Sequence, residues 1–212
     1  MSSKTTNALI LSFTVIGAIA SIVFYPILPK RIAFHWNMIG EASAFESKFW
    51  GVFAIPVIMF SLFFLRLITL RIDPLKKNIE QFKGYYNGFW ISISMFFLYI
   101  YYLVIVWNLG YHFDFTGMVI PAVSVLLYGI GVVLGRSKRN WFIGMKNPKI
   151  MMSETIWQKT HRLAGLLYKI TAILSLFSIF LPGDFVMAAT AIIIISVSII
   201  TAAYFYGEYR RR

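Results

Sequence analysis

The chain has 212 residues, of which 59% are hydrophobic and 18% aromatic, while only 13% are charged. Soluble globular domains carry about a quarter charged residues, so this composition excludes an ordinary water-soluble domain and indicates a protein of the lipid bilayer. The net charge of +12 would suggest nucleic-acid binding in a soluble protein. In a membrane protein the same charge is typical of cytoplasmic loops that meet anionic lipid headgroups, and we predict no direct contact with nucleic acid.

Six apolar segments are long enough to cross a bilayer, which takes about 17–25 residues per helix. They are predicted near residues 8–27, 49–70, 89–107, 116–134, 163–181 and 185–206. The first has the length of a full span, so we interpret it as an uncleaved anchor rather than a signal peptide. Pro56 lies inside the second span and is expected to kink it. The predicted fold class is all-α, a polytopic membrane bundle of about six helices.

The basic residues are distributed very unequally between the two sides of this predicted bundle. One side holds 15 of the 20 Lys and Arg residues, seven of them in the segment 135–162, and the other side holds only Lys30, Arg31 and Lys48. Arg66 and Lys169 lie inside spans, where we expect their side chains to snorkel toward the headgroups. The positive-inside rule therefore predicts that both termini are cytoplasmic and that the segment 28–48 is external.

A short interfacial helix is predicted after the second span. Asp73 followed by Pro74 has the pattern of an N-cap and a first helical position, and Gly84 is placed to end the helix. Ile79 and Phe82 would then face the inner membrane surface.

A second cap is predicted in the basic segment before the fifth span. Ser153 is placed to cap a helix that begins at Glu154, whose carboxylate the helix dipole favours. Trp157, His161 and Gly165 recur every four residues on this helix and so line one face of it.

Two stretches of the chain resemble known modules. Residues 28–37 read LPKRIAFHWN and are followed by Gly40, Lys48 and Pro56, which resembles the LP-x-x-I-x-x-HWN-x-x-G module at the front of many prokaryotic membrane proteins. Residues 129–165 resemble the SdpI family, whose pattern is approximately G…N…GIR-x-P…W…H-R-x-x-G. The matching residues are Gly135, Asn140, Gly144, Pro148, Trp157, His161, Arg162 and Gly165.

The resemblance implies a multispan protein of a prokaryotic cell membrane with a role in immunity. The family's namesake protects a toxin-producing cell from its own secreted peptide toxin and holds a transcriptional autorepressor at the membrane when toxin is present. The partners implied are therefore an extracellular peptide toxin, a cytoplasmic repressor and membrane lipids. We divide the chain into a two-helix module, residues 1–88, and a four-helix SdpI-like module, residues 89–212. Lys146 departs from the family's usual arginine, which replaces a bidentate donor by a point charge.

The outer candidate residues are His35, Trp36, Asn37 and Gly40. In one interpretation they contact an extracellular peptide. In the other they form a folded cap, with Trp36 in the interfacial aromatic belt and with His35 and Asn37 satisfying loop backbone groups. A metal site combining His35 and His112 with outer carboxylates would have suitable ligands, but no spacing is diagnostic. We predict no metal and leave that site open.

The inner candidate residues are Asn140, Gly144, Lys146, Trp157, His161 and Arg162. In one interpretation they form a docking surface for a cytoplasmic partner or a pocket at the mouth of the helices. In the other their roles are internal: Gly144 permits a turn, Asn140 satisfies backbone groups, Trp157 anchors the interface and Arg162 meets phosphates.

The predicted function is that of an SdpI-like immunity and signalling protein. A small-molecule or ion transporter is the alternative, because Pro56 and Pro121 are placed to break helices near the middle of the membrane. The absence of acidic residues within the spans argues against proton or cation coupling. A membrane enzyme is disfavoured, because no Ser/His/Asp order, HExxH motif or intramembrane carboxylate pair occurs. The chain has no cysteine, so a disulfide, thiolate catalysis and a Cys-ligated metal are excluded. We predict no catalytic residues and no cofactor.

Overall fold

The computed structural model describes residues 1–37, 40–181 and 183–210. Arg211 and Arg212, which contribute to the charge bias, lie outside this range. The elements in chain order are α1 (Ser3–Phe24), β1 (Arg31–Trp36), β2 (Ala42–Ser47), α2 (Lys48–Ile72), α3 (Lys76–Gln81), α4 (Lys83–Asn108), α5 (Phe115–Arg136), α6 (Pro148–Met152), α7 (Glu154–Phe177), a 3₁₀ turn (Ser178–Phe180) and α8 (Gly183–Arg210).

Six of the described helices, α1, α2, α4, α5, α7 and α8, are long and apolar enough to span a membrane. Only 22–33% of the most apolar window of each is buried in the protein. Many of their large apolar side chains are exposed, among them Ile22, Phe64 and Val125, which is stable in hydrocarbon and not in water. The predicted all-α polytopic class is confirmed, and the hairpin of β1 and β2 is an addition to it.

The two ends of the bundle carry different structures. The hairpin end holds β1, β2 and the junction of α4 with α5. The terminal end holds the start of α1, helix α3 and the segment 137–153 between α5 and α7. Helix α4 packs against α1, α2 and α5, while α7 packs against α5 and α8, so α4 and α5 join the two halves of the bundle. The proposed boundary near residue 88 stays a prediction.

The predicted cap of α7 is confirmed. The Ser153 hydroxyl accepts a hydrogen bond from the Ile156 N–H at 3.3 Å, and the helix then runs without a break from Glu154 to Phe177. The capped segment and the fifth span are therefore one helix. Helices α2 and α5 likewise continue through Pro56 and Pro121 as single elements.

The predicted capping of α3 is wrong. Asp73 lies at the C-terminal end of α2, and α3 begins only at Lys76. The Asp73 carboxylate instead accepts from the Leu75 N–H at 2.7 Å and from the Trp141 N–H at 3.0 Å. One buried carboxylate thus satisfies two backbone N–H groups, one of them in the loop that follows α5. These two hydrogen bonds stabilise Asp73 more than capping α3 would.

The end and the environment of α3 also differ from the prediction. Gly84 lies in the first turn of α4 and does not end α3. Ile79 and Phe82 are 1% and 3% exposed and pack with Ile10 and Tyr86 in the protein core. Helix α3 thus buries its apolar face against the bundle rather than leaving it to the membrane surface.

Arg66 does not snorkel; it is completely buried. Its Nε donates to Asn7 Oδ1 at 2.9 Å and its Nη2 donates to Asn87 Oδ1 at 2.8 Å. The guanidinium also lies 5.5 Å from the centre of the Tyr86 ring. Helices α1 and α4 cover this part of α2. The Arg66 charge therefore contacts two amide oxygens and an aromatic ring instead of lipid headgroups. Nη1 has no partner among the described residues.

Helices α5 and α7 approach each other at three glycines. A Cβ atom added to Gly165 would lie 2.6 Å from the Gly131 carbonyl oxygen and 2.6 Å from the Gly135 nitrogen. The two backbones are therefore in direct contact, as in membrane helix pairs with small residues four positions apart. This contact holds α7 in register against the terminal end of α5.

Candidate functional site

Trp36 is held inside the hairpin end rather than in a lipid-facing belt. Its ring stacks on Phe115 with centroids 3.5 Å apart and planes 3° apart, and it meets the edge of Trp107 at 5.7 Å. Stacking between β1, α4 and α5 fixes the strand to the start of one span and the end of another.

Asn37 and Gly40 build the turn of the hairpin. The Asn37 side chain accepts from the Glu41 N–H at 2.9 Å, and its backbone N–H donates to the Glu41 carbonyl at 2.8 Å. Gly40 adopts φ +81°, and a Cβ there would lie 2.5 Å from Asp114 Oδ1, so glycine suits this position on both counts. The intervening residues 38 and 39 lie outside the described residues. The contacts of Asn37 and Gly40 support the interpretation of these residues as parts of a folded cap.

His35 is the exposed member of the outer set. It lies at the rim of an apolar cavity of about 330 Å³ beneath the hairpin. The cavity is lined by Phe34, His35, Trp36, Ile55, Ile58, Phe97, Ile100, Val104, Phe115, Thr116 and Val119. The ring of His112 packs 4.4 Å from Trp107, and the described residues contain no group of three His, Asp or Glu side chains placed to hold a metal ion.

Asn108, which sequence reasoning missed, closes the free edge of β1. Its Oδ1 accepts from the Ala33 N–H at 2.8 Å and its Nδ2 donates to the Ala33 carbonyl at 3.0 Å. The side-chain amide thus takes the place of a neighbouring strand. The only signal in the sequence is a polar residue at the end of an apolar span.

His161 is the centre of the inner set. Its Nδ1 lies 2.8 Å from the Trp157 carbonyl, and its Nε2 lies 2.9 Å from the Met145 nitrogen. Because the Met145 N–H must donate, Nε2 carries the lone pair and Nδ1 carries the proton, which defines a neutral imidazole. Both ring nitrogens are hydrogen-bonded to backbone groups, so the ring holds the loop in place at Met145. We call His161, together with Trp157 and Gly144, the latch.

Trp157 and Gly144 complete this latch. The Trp157 ring stacks on His161 with centroids 3.9 Å apart, and its Nε1 donates to the Ser137 carbonyl at 3.1 Å. Gly144 adopts φ +109°, and any side chain there would collide with His161 Nε2. The loop can therefore cross the imidazole only with glycine at this position.

Asn140 folds the loop upon itself. It is fully buried, and its Oδ1 accepts from the Phe142 and Ile143 N–H groups at 2.9 and 2.6 Å. Its Nδ2 donates to the carbonyls of Lys138 and Ile143 at 2.8 and 3.1 Å. These bonds satisfy buried backbone groups and support the internal role considered for this residue.

Lys146 and Arg162 do not join the buried latch. Both side chains are exposed, and the one contact described for Lys146 Nζ is the Phe142 carbonyl at 3.4 Å. The structure thus brings Asn140, Gly144, Trp157 and His161 together and leaves the two basic residues on the surface. The Trp141 side chain is also 51% exposed, although its backbone is held by Asp73.

Comparison with known proteins finds a different family model in each half of the chain. Residues 136–206, which include the latch, match the SdpI/YfhL protein family, and residues 13–60, which include the hairpin, match a domain of unknown function, DUF1648. The chain is 23% identical to the Immunity protein SdpI of Bacillus subtilis (strain 168) over 205 residues, or 97% of this chain and 96% of that protein. The chain is thus similar to the SdpI family along nearly its whole length. With six candidate spans and this similarity, it is a multi-pass bacterial cell-membrane protein. No solved structure matches it.

Proposed function

We propose that this protein gives its cell resistance to a secreted peptide toxin. The observation that carries the proposal is the similarity to an immunity protein over nearly the full length of both chains. In this proposal the hairpin end faces outward and meets the peptide, and the terminal end faces the cytoplasm. The exposed basic residues of the terminal end, among them Arg71, Lys76, Lys77, Lys146 and Arg162, favour this orientation.

We further propose that the terminal end reports the presence of toxin by holding a repressor protein. The proposed contact is formed by the exposed side chains of Trp141, Lys146 and Arg162. An aromatic side chain together with basic groups suits a protein partner with acidic residues. The buried latch holds this surface in one conformation. We propose no catalytic role, because both nitrogens of His161 are already bonded to the backbone.

A continuous physical connection links the two ends in this proposal. Trp36 stacks on Phe115 at the start of α5, and α5 contacts α7 through Gly131 and Gly165 near its other end. Helix α7 carries His161, which holds the loop at Met145. A peptide that shifts the hairpin therefore acts on α5, which contacts the helix α7 that positions the loop, and this is the coupling that two-site signalling needs.

Immunity is tested by expressing the protein in a bacterium that a secreted peptide toxin of the SdpI type kills. We expect expressing cells to survive toxin concentrations that kill cells carrying the empty vector. The controls are a variant shown to be inserted but with the loop latch disrupted, Gly144→Leu, and an unrelated six-span protein expressed at the same level. Equal killing of expressing and empty-vector cells would remove the immunity proposal for this chain.

Orientation is tested by thiol labelling, which is clean because the chain has no native cysteine. Ser43 in β2 and Lys77 in α3 are both exposed and are each replaced by cysteine. A membrane-impermeant maleimide is expected to label Ser43→Cys in intact cells and Lys77→Cys only after permeabilisation. The reverse pattern would show that the hairpin is cytoplasmic.

A further inference from the structure

The outer edge of β2 is an unpaired strand edge at the membrane boundary. We propose that it binds an extended segment of the secreted peptide as a third strand of the sheet, through backbone hydrogen bonds. The inference rests on the proposed function for the identity of the peptide. It rests on the geometry of the hairpin for the mode of binding.

The two edges of the sheet differ sharply. The edge of β1 is closed, because the Asn108 amide bonds both the N–H and the carbonyl of Ala33. Among the described residues no side-chain amide closes the outer edge of strand β2 in this way, and five of its six residues are exposed. It also contains no proline or lysine, the residues that commonly protect an edge strand from pairing.

The register identifies which backbone groups of β2 point away from β1. The Lys48 N–H donates to the Lys30 carbonyl, and Ile32 pairs with Glu46. Since bonding alternates along an antiparallel strand, Glu46 faces β1, and Phe45 and Ser47 face outward.

One side chain partly covers this outward edge. Nη2 of Arg31 donates to the Phe45 carbonyl at 3.2 Å. Arg31 is itself exposed, so an incoming N–H can displace it at small cost. The N–H groups of Phe45 and Ser47 are free to donate as far as the described residues show, and an added strand would supply the acceptors.

The surroundings of the edge suit an apolar, membrane-active peptide. Strand β2 leads directly into the span α2 at Lys48, so a peptide approaching the bilayer meets the edge at the interface. The side chains of Phe45, Phe49 and Trp50 are 45%, 54% and 57% exposed and offer apolar contacts there. A peptide that enters a bilayer must satisfy its backbone groups, and pairing with β2 satisfies one of its edges before it inserts.

Ser47 allows a substitution that removes one edge donor and little else. Its φ of −59° lies in the range that proline requires, and its side chain makes no capping bond to α2. Ser47→Pro therefore deletes the outward N–H while the strand and the helix keep their backbone geometry. Ser47→Ala keeps the N–H and is the matched control.

The binding mode is tested with the full-length protein in lipid nanodiscs by amide hydrogen exchange resolved to single residues. The probe is acetyl-Val-Thr-Val-Thr-Val-Thr-amide, and the control is the same peptide N-methylated at alternate residues. We expect the probe to slow exchange at the Phe45 and Ser47 amides by about tenfold at roughly nine-tenths occupancy. The N-methylated peptide should have no effect, and Ser47→Pro should lose the protection at Phe45 that Ser47→Ala retains.

Three results of the exchange experiment would overturn the inference. They are unchanged exchange with the probe, equal protection in Ser47→Pro, and protection without peptide that rises with protein density, which would assign the edge to a second copy of the chain. The killing assay separates this inference from the proposed function. If wild type gives no resistance, the immunity proposal fails while the exchange result still decides whether β2 accepts a strand. If wild type and Ser47→Pro give equal resistance, the protein does not bind the toxin by strand addition.

Discussion

Asn87→Leu is expected to destabilise the bundle by about 3–5 kcal/mol, as removal of one partner from a buried charge does. Asn87 Oδ1 accepts from Arg66 Nη2 at 2.8 Å, and Arg66 is completely buried. The variant leaves the guanidinium with only Asn7 and the Tyr86 ring, and no carboxylate pairs with it among the described residues. Unfolding in detergent, followed by the loss of helical circular dichroism, measures the change.

The double variant Arg66→Met, Asn87→Leu distinguishes a charge effect from a packing effect. Removing the charge together with its partner is expected to recover at least about 2 kcal/mol of the loss, because apolar groups of similar volume replace a buried ionic site with little cost. Gly88→Ala, on the same helix and with nothing within 4 Å of the added Cβ, is the control and should be nearly neutral. A double variant no more stable than Asn87→Leu would contradict this account of Arg66.

Gly165→Ala is expected to destabilise the protein by about 2–3 kcal/mol, a large effect for one added methyl group. The new Cβ would lie 2.6 Å from backbone atoms of both Gly131 and Gly135, and backbone atoms cannot rotate away as a flexible side chain can. Helices α5 and α7 must then separate. The same unfolding measurement tests the loss, and resistance to toxin should fall with it because α7 carries His161.

Gly129→Ala is the matched control for this prediction. It adds a methyl group to α5 as well, but its Cβ would meet only Ser92 side-chain atoms, at 3.7 and 3.8 Å, which is ordinary contact. Alanine also has the higher helix propensity, so this variant should be neutral or slightly stabilising. Equal stability of Gly129→Ala and Gly165→Ala would show that the close contact of α5 with α7 is absent.

The long helices were predictable because a membrane span is specified locally. A run of about 20 apolar residues must form a helix in hydrocarbon whatever its neighbours are, and all six spans were found this way. The Ser153 cap was predictable because it too is local: the Ser153 hydroxyl bonds a backbone N–H group only three residues away. The errors at Asp73 and Gly84 arose where a distant partner or the next helix outweighed the local pattern.

The hairpin was not predicted, because segment 28–48 is short and mixed in character and its strands are stabilised by residues far along the chain. Asn108 closes β1 from 75 residues away, and Trp36 stacks on Phe115. Gly51 has no room for a side chain against Ile32, so the strand lies directly on α2. None of these partners follows from the spacing of residues within the segment.

By itself, the sequence determined that this protein is a six-span membrane bundle with a family-specific basic segment, because hydrophobic length and motif residues are properties of the chain alone. The tertiary structure alone decided what the polar residues do. It buried Arg66 between two asparagines, turned His161 into a neutral latch and left β2 with an open edge. The physical reason is that a polar side chain takes its role from its hydrogen-bonding partner, and here those partners are brought together only when the helices pack.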